Sequence, residues 1–194
     1  SLMTDRKPLP GKLAFSRDLF VLLFLLRGMP FVDLAFLRRC DLQGNVITYH
    51  RRKTSRKLTV VVGKEAMEII QKYMYAIPDS PYLFPIIQNP GKDEYGQYAR
   101  MLRLQNYRLT QVANILGIRD RLSTYTARHT WATTALRQNY NSSLICDAMG
   151  HSSVKVTETY FQPYRDDEVN RMNSSLITYI LSKKKRGTDK KIRS

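Results

Sequence analysis

Cysteine, histidine and acidic side chains are all scarce in this chain. Among 194 residues there are 2 Cys and 3 His, too few and too scattered for a disulfide framework or the ligand spacing of a zinc site. Cys40 and Cys146 read instead as buried small apolar groups in a reducing, intracellular setting, which the expectation of a cytoplasmic protein shares. Long hydrophobic runs are missing as well. The longest, residues 19–26, falls far short of the roughly 20 residues that a membrane span needs, and Arg27 ends it. It lacks a small-residue cleavage site, which argues against a secretory signal. The chain contains no P-loop and no clustered carboxylates of the two-metal type.

The shortage of acids leaves a large positive charge. Sixteen Asp and Glu face 32 Lys and Arg, for a formal charge of +16 and a pI near 10.0. Such a surface needs an acidic partner, either nucleic acid or an anionic membrane. The apolar stripes are amphipathic core patterns without an exposed aromatic face, which favours nucleic acid over a membrane surface. Residues 183–194 hold seven Lys or Arg against one Asp, and without them the body still carries +10. The folded part is therefore basic in its own right. We expect one compact domain over residues 1–182 and a disordered basic tail over 183–194.

Hydrophobic periodicity predicts a mainly α fold with one small antiparallel β-hairpin. Residues 16–26 are so apolar that they form a buried helix, with Ser16 suited to cap it. Gly28 breaks that helix, and Pro30 opens a second one to about Arg39. The β-branched runs 46–52 and 57–62 flank Lys53-Thr54-Ser55-Arg56, which predicts a hairpin with a basic tip. A helix is expected from Lys64 to about Ala76, followed by a proline-rich loop over 78–91. Residues 94–116 return to helical spacing, with one expected break. Three short helices over 126–138, 143–149 and 154–161 come next. A last one over 166–182 carries Val169, Met172, Leu176, Ile177, Ile180 and Leu181 on one stripe.

The residues that suggest chemistry lie in two places. Tyr125-Thr-Ala-Arg128-His129 is followed by Met149-Gly150-His151, and Tyr160 stands nine residues beyond His151. Arg128 can hold two phosphate oxygens through its planar fork, and His151 can donate a hydrogen bond or carry a proton. His129 fits a supporting role better than a catalytic one. Earlier in the chain, Arg27 directly follows Phe20-Val-Leu-Leu-Phe-Leu-Leu26, where a guanidinium is costly to bury unless an anion meets it. A cation also suits an exposed helix C-terminus, so Arg27 alone does not decide the matter.

Together these segments resemble the tyrosine recombinases, or phage-type integrases, over residues 16–181. Members of that family carry H-x-x-R, then L-G-H, then a nucleophilic Tyr nine residues after that His. Their first arginine motif often reads R-x-x-E-L-x-x-L, and here Asp33 takes the acidic place after an apparent three-residue lengthening. Arg27-Gly-Met with a delayed Asp looks like integrases of Bacteroides-type mobile elements. One position departs from the family, because Tyr125 stands where His is usual. A phenol there can still donate a hydrogen bond to a phosphate oxygen but cannot supply an imidazolium.

The resemblance implies the catalytic domain of a site-specific recombinase acting on double-stranded DNA in a bacterial, nucleoid-associated setting, without metal or ATP. It assigns Tyr160 as nucleophile and Arg27, Arg128 and His151 as phosphate-stabilising groups. Tyr125 becomes a phosphate contact. Lys53, at the hairpin tip, becomes the general acid, with Lys57 as its substitute and Tyr164 as the rival of Tyr160. It also implies an N-terminal DNA-clamping domain, not found in these residues, and a homotetramer on paired sites joined through the 166–182 helix. A type IB topoisomerase would use nearly the same residues. A noncatalytic DNA-binding module would explain the charge alone, and it predicts binding without a covalent adduct.

Overall fold

The computed structural model describes residues 8–151, residue 153 and residues 173–176. The chain divides into two units, Ser1–Tyr160 and Phe161–Ser194. In the second unit, residues 173–176 are helical and exposed. The expected 154–161 segment, most of the 166–182 helix and the basic tail lie outside the described residues, as do Tyr160 and Tyr164.

The first unit is mainly helical with one small sheet. Its central element is α1 (Gly11–Leu25), which packs against three later helices, α3 (Lys64–Tyr73), α4 (Glu94–Leu116) and α5 (Thr124–Arg137). Leu19, Leu22 and Leu23 are fully buried there. Each stabilises the fold by about 2 kcal/mol relative to an exposed side chain. The helix begins earlier than its apolar run, after Pro10. Ser16 is therefore not a cap. It sits buried inside the helix, and its carbonyl accepts a hydrogen bond from Gln105 Nε2 at 2.7 Å.

The second helix is also shorter than its sequence suggests. α2 (Phe31–Ala35) ends after five residues, and a 3-10 turn follows at Arg39–Asp41. The cause is backbone pairing with the proline-rich loop. Leu83 N–H donates to the Leu37 carbonyl at 2.8 Å and Arg39 N–H to the Pro81 carbonyl at 2.9 Å, which draws residues 37–39 out of helical geometry. That loop keeps its expected place and is anchored by buried Leu83, Phe84, Ile86 and Ile87.

The sheet has three antiparallel strands in the order β1 (Leu42–Gln43), β2 (Val46–His50) and β3 (Lys57–Val61). The hairpin was legible in the β-branched runs, whereas the two-residue β1 is too short to leave a period. Ile47 pairs with Val60, both are buried, and His50 faces Lys57 at the turn end of the ladder. The ladder stops at Lys57 and His50, so residues 51–56 form the tip. α4 runs unbroken for 23 residues, because buried Gln97, Gln105, Leu109 and Val112 keep one stripe on the core throughout. α6 (Ser142–Met149) packs on α5 through Ala132, Ile145 and Met149.

Candidate active site

Four of the six expected site residues converge where the α1 turn, the start of α5, the end of α6 and the hairpin tip meet. Arg27 follows the helix in a left-handed conformation at φ 59°, and Gly28 repeats it at φ 66°. Met29 N–H then reaches back to the Leu23 carbonyl at 3.0 Å, so the turn closes on α1. A non-glycine residue in this region costs about 1 kcal/mol, which the surrounding contacts must offset. Arg27 Nη1 donates to the Thr59 carbonyl of β3 at 3.2 Å, which ties the arginine to the hairpin.

Arg128 is held on the other side of the same turn. Ser123 caps α5 with a capping box in which its Oγ accepts from the Thr126 amide, and this fixes the first turn that carries Arg128 inward. The Arg128 side chain is buried, with Nη1 on the Gly28 carbonyl at 2.6 Å and Nη2 on the Met149 carbonyl at 3.0 Å. Gly28 also permits the approach, since a Cβ built on it would lie 3.1 Å from Arg128 Cα.

His151 follows the left-handed Gly150 that ends α6, and its amide returns to the Cys146 carbonyl at 3.0 Å. A Cβ at Gly150 would meet Leu58 Cδ1 at 2.8 Å and Arg51 Cδ at 3.0 Å, so the turn and the hairpin share a surface that only glycine allows. The His151 ring is buried. Desolvation, reinforced by the charges of Arg128, Arg51 and Lys53, pushes its pKa down to about 4, so the imidazole is neutral near pH 7.

Lys53 is exposed in the tip, close enough for its charge to act on His151. Thr54 Oγ1 in the same loop reaches the Gly150 carbonyl at 3.4 Å. Lys57 instead belongs to the ladder opposite His50. Tyr125 lies at the start of α5 with 59% of its surface exposed, its ring 6.4 Å from that of His129. It stands three residues before Arg128 on the helix, where side chains are neighbours.

Two further residues, Arg51 and Asp33, organise this region. Both are buried, with Arg51 Nε 3.1 Å from Asp33 Oδ2. Asp33 Oδ1 accepts the Arg52 amide at 3.0 Å. Burial pushes the Asp33 carboxyl upward, while the Arg52 amide and the charges of Arg51 and Arg128 pull it back. Arg52 lies over the Phe36 ring at 3.8 Å, adding a cation–π contact between the hairpin and the end of α2. Asp33 was marked by its motif, but Arg51 was not singled out. Its signal was strand alternation, since Ile47, Tyr49 and Arg51 form one inward row.

Residues 4–166 match the phage integrase family. The chain belongs to the phage integrase family. One relative is the tyrosine recombinase XerC of Thermodesulfovibrio yellowstonii, 26% identical over 167 residues that cover 79% of this chain and 52% of the relative. A tyrosine recombinase of Pseudothermotoga lettingae is 32% identical over 60 residues, which is 31% of this chain and 21% of that protein. The integrase-family chain thus spans about half the length of the XerC relative. Its fold is also that of solved integrases and recombinases. The Tn1549 transposon integrase in complex with a circular intermediate DNA superposes with a TM-score of 0.63 at 18% identity, covering 88% of this chain and 66% of that one. The XerH site-specific recombinase bound to its difH substrate gives 0.61 at 16% identity, covering 88% and 49%.

Proposed function

We propose that this integrase-family chain is the catalytic domain of a site-specific tyrosine recombinase, over residues 1–182, that cleaves and rejoins double-stranded DNA. The observation that carries the reading is the convergence of Arg27, Arg128, His151 and Lys53 from four separate segments onto one basic site. In this reading Tyr160 Oη attacks a phosphodiester phosphorus, forms a 3′-phosphotyrosine, and the bond to the 5′ oxygen breaks. The 5′ hydroxyl leaves with a proton from Lys53. His151, neutral because it is buried among cations, carries the phenol proton. Only on the order of one phenol in a thousand is ionised at neutral pH, so this help is needed. Arg27 and Arg128 stabilise the charge that develops on the phosphoryl oxygens, and Tyr125 adds a hydrogen bond to them. The phosphotyrosine keeps the bond energy, so a 5′ hydroxyl from another strand reverses the step without ATP.

The finer features of the reading rest on sequence. Arg27-Gly-Met with the acid delayed to Asp33 supports an integrase of a Bacteroides-type mobile element, working at the bacterial nucleoid. The apolar stripe of residues 166–182, in which Leu176 is 55% exposed, supports docking on a neighbouring subunit in a homotetramer on paired sites. The deciding experiment is covalent trapping on a nicked duplex spanning the joined ends of the element, followed by mass mapping. The expected adduct is on Tyr160 and is lost in Tyr160→Phe, which retains DNA binding. An adduct on Tyr164, or one that persists in Tyr160→Phe, contradicts the nucleophile assignment. Binding without any adduct points to the noncatalytic module.

A further inference from the structure

Arg51 makes the shortest described link between the hairpin and the end of α6, with Nη1 donating to the Met149 carbonyl at 2.6 Å. Arg128 Nη2 donates to the same oxygen at 3.0 Å. One carbonyl therefore registers two buried guanidinium groups against each other. The bond from Arg51 to Met149 joins two points that each lie two residues from a group with proposed chemistry. Lys53 follows Arg51, and His151 follows Met149.

The rest of Arg51 is equally committed. Its amide donates to the Arg56 carbonyl at 2.9 Å and its carbonyl accepts from Ser55 at 2.7 Å, so it closes the loop that carries Lys53 from both ends. Its Nε faces Asp33 Oδ2 at 3.1 Å without the angle of a hydrogen bond, which leaves a charge–charge contact. Its Cγ and Cδ fill the space that a side chain at Gly150 would need. A buried ion pair seldom stabilises a fold more than apolar packing of the same size would. A planar fork whose donors reach two separate elements is better explained by geometry than by stability.

We infer that Arg51 is a positioning residue for strand cleavage, holding the Lys53 loop in register with the Gly150-His151 turn and Arg128 without itself meeting the scissile phosphate. The inference rests on the recombinase reading. Asp33 faces the Arg51 Nε, whereas Arg27, Arg128 and Lys53 are the cations that the recombinase reading assigns to the phosphate.

The test uses the full chain on the same nicked duplex, with either an ordinary phosphate or a 5′-bridging phosphorothiolate at the scissile position. The sulfur leaves as a thiolate and needs no proton, so that substrate does not depend on the general acid. Arg51→Lys is expected to keep its DNA affinity within about threefold. It should form the adduct about tenfold to a hundredfold more slowly on the ordinary substrate, the cost of a misplaced group. Most of that loss should be recovered on the phosphorothiolate, and Arg51→Lys combined with Lys53→Ala should be no slower than Lys53→Ala alone. If Arg51→Lys does not fold, Asp33→Asn with Arg51→Met removes both buried charges together and is expected to give the same split. Unchanged cleavage, equal loss on both substrates, or losses that add with Lys53→Ala would overturn the positioning role. An unmodified chain that gives no adduct on either substrate overturns the recombinase reading and this inference with it, whereas a normal adduct beside an unaffected Arg51→Lys overturns the inference alone.

Discussion

Arg128 donates from Nη1 to the carbonyl of Gly28 at 2.6 Å, across 100 positions of chain. The bond couples the turn that carries Arg27 to the helix that carries Arg128. The two arginines therefore share one mechanical unit, and a change at either partner is transmitted to the other.

Gly28→Ala is expected to break that unit. Its φ of 66° is unfavourable for alanine, and the added Cβ would lie 3.1 Å from Arg128 Cα. The backbone strain alone costs about 1–2 kcal/mol, and displacement of Arg128 adds to it. Urea melts should show the loss of stability. Trapping assays on the remaining folded protein should show slower cleavage at unchanged length of the covalent product. A variant as stable and as fast as the unmodified chain would show that the close approach is not required.

Acid should weaken the fold through His151. Its folded pKa of about 4 lies below the ordinary value of 6.5, so the folded state binds its proton less readily than the unfolded state does. The resulting stabilisation is fully present above pH 6.5, falls as pH drops from 6.5 towards 4, and is gone below that. The difference is on the order of 3 kcal/mol. His151→Gln removes this contribution, so the gap between its stability and that of the unmodified chain should narrow across that window in urea melts. A constant gap from pH 7 to pH 4 would mean that the ring is not held neutral. On the proposed reading a bound phosphate faces the same ring, so DNA affinity is also expected to rise with proton uptake over this range.

Salt dependence should separate the body from the tail. Affinity for duplex DNA is expected to fall linearly on a log–log plot against salt, because bound phosphates release counterions. Deleting residues 183–194 should reduce the slope without abolishing binding, since the rest of the chain keeps +10 of the total +16 charge. Filter binding or fluorescence anisotropy at several salt concentrations measures both slopes. Binding that disappears with the tail would place the DNA-contacting surface outside the folded body.

Some of this protein is written locally and some is not. The hairpin was legible because residues 46–62 combine β-branched runs with a polar turn, and α1 because eight apolar residues in succession have to be buried. The ends of α1 and α2 were not, since Ser16 looks like a cap in isolation and the pairing of residues 37–39 with the proline-rich loop is nonlocal. The expected break in α4 failed for a related reason. Polar Gln105 lies buried in the middle of the helix, and its amide finds a partner in the Ser16 carbonyl of another helix.

The sequence by itself determined the chemical types at the described part of the site, because Arg128, Gly150 and His151 stand at positions fixed along the chain, and helical period and turn chemistry place them locally. It also determined the basic charge, which is a sum over residues and needs no fold. Only the tertiary structure decided which lysine of the hairpin acts on His151 through its charge, that the Met149 carbonyl receives two arginines, and that Asp33 and Arg51 are buried together. Those relationships join segments up to 98 residues apart. Their energies come from desolvation and from donor geometry that exists only after the core has closed, and a one-dimensional pattern records neither.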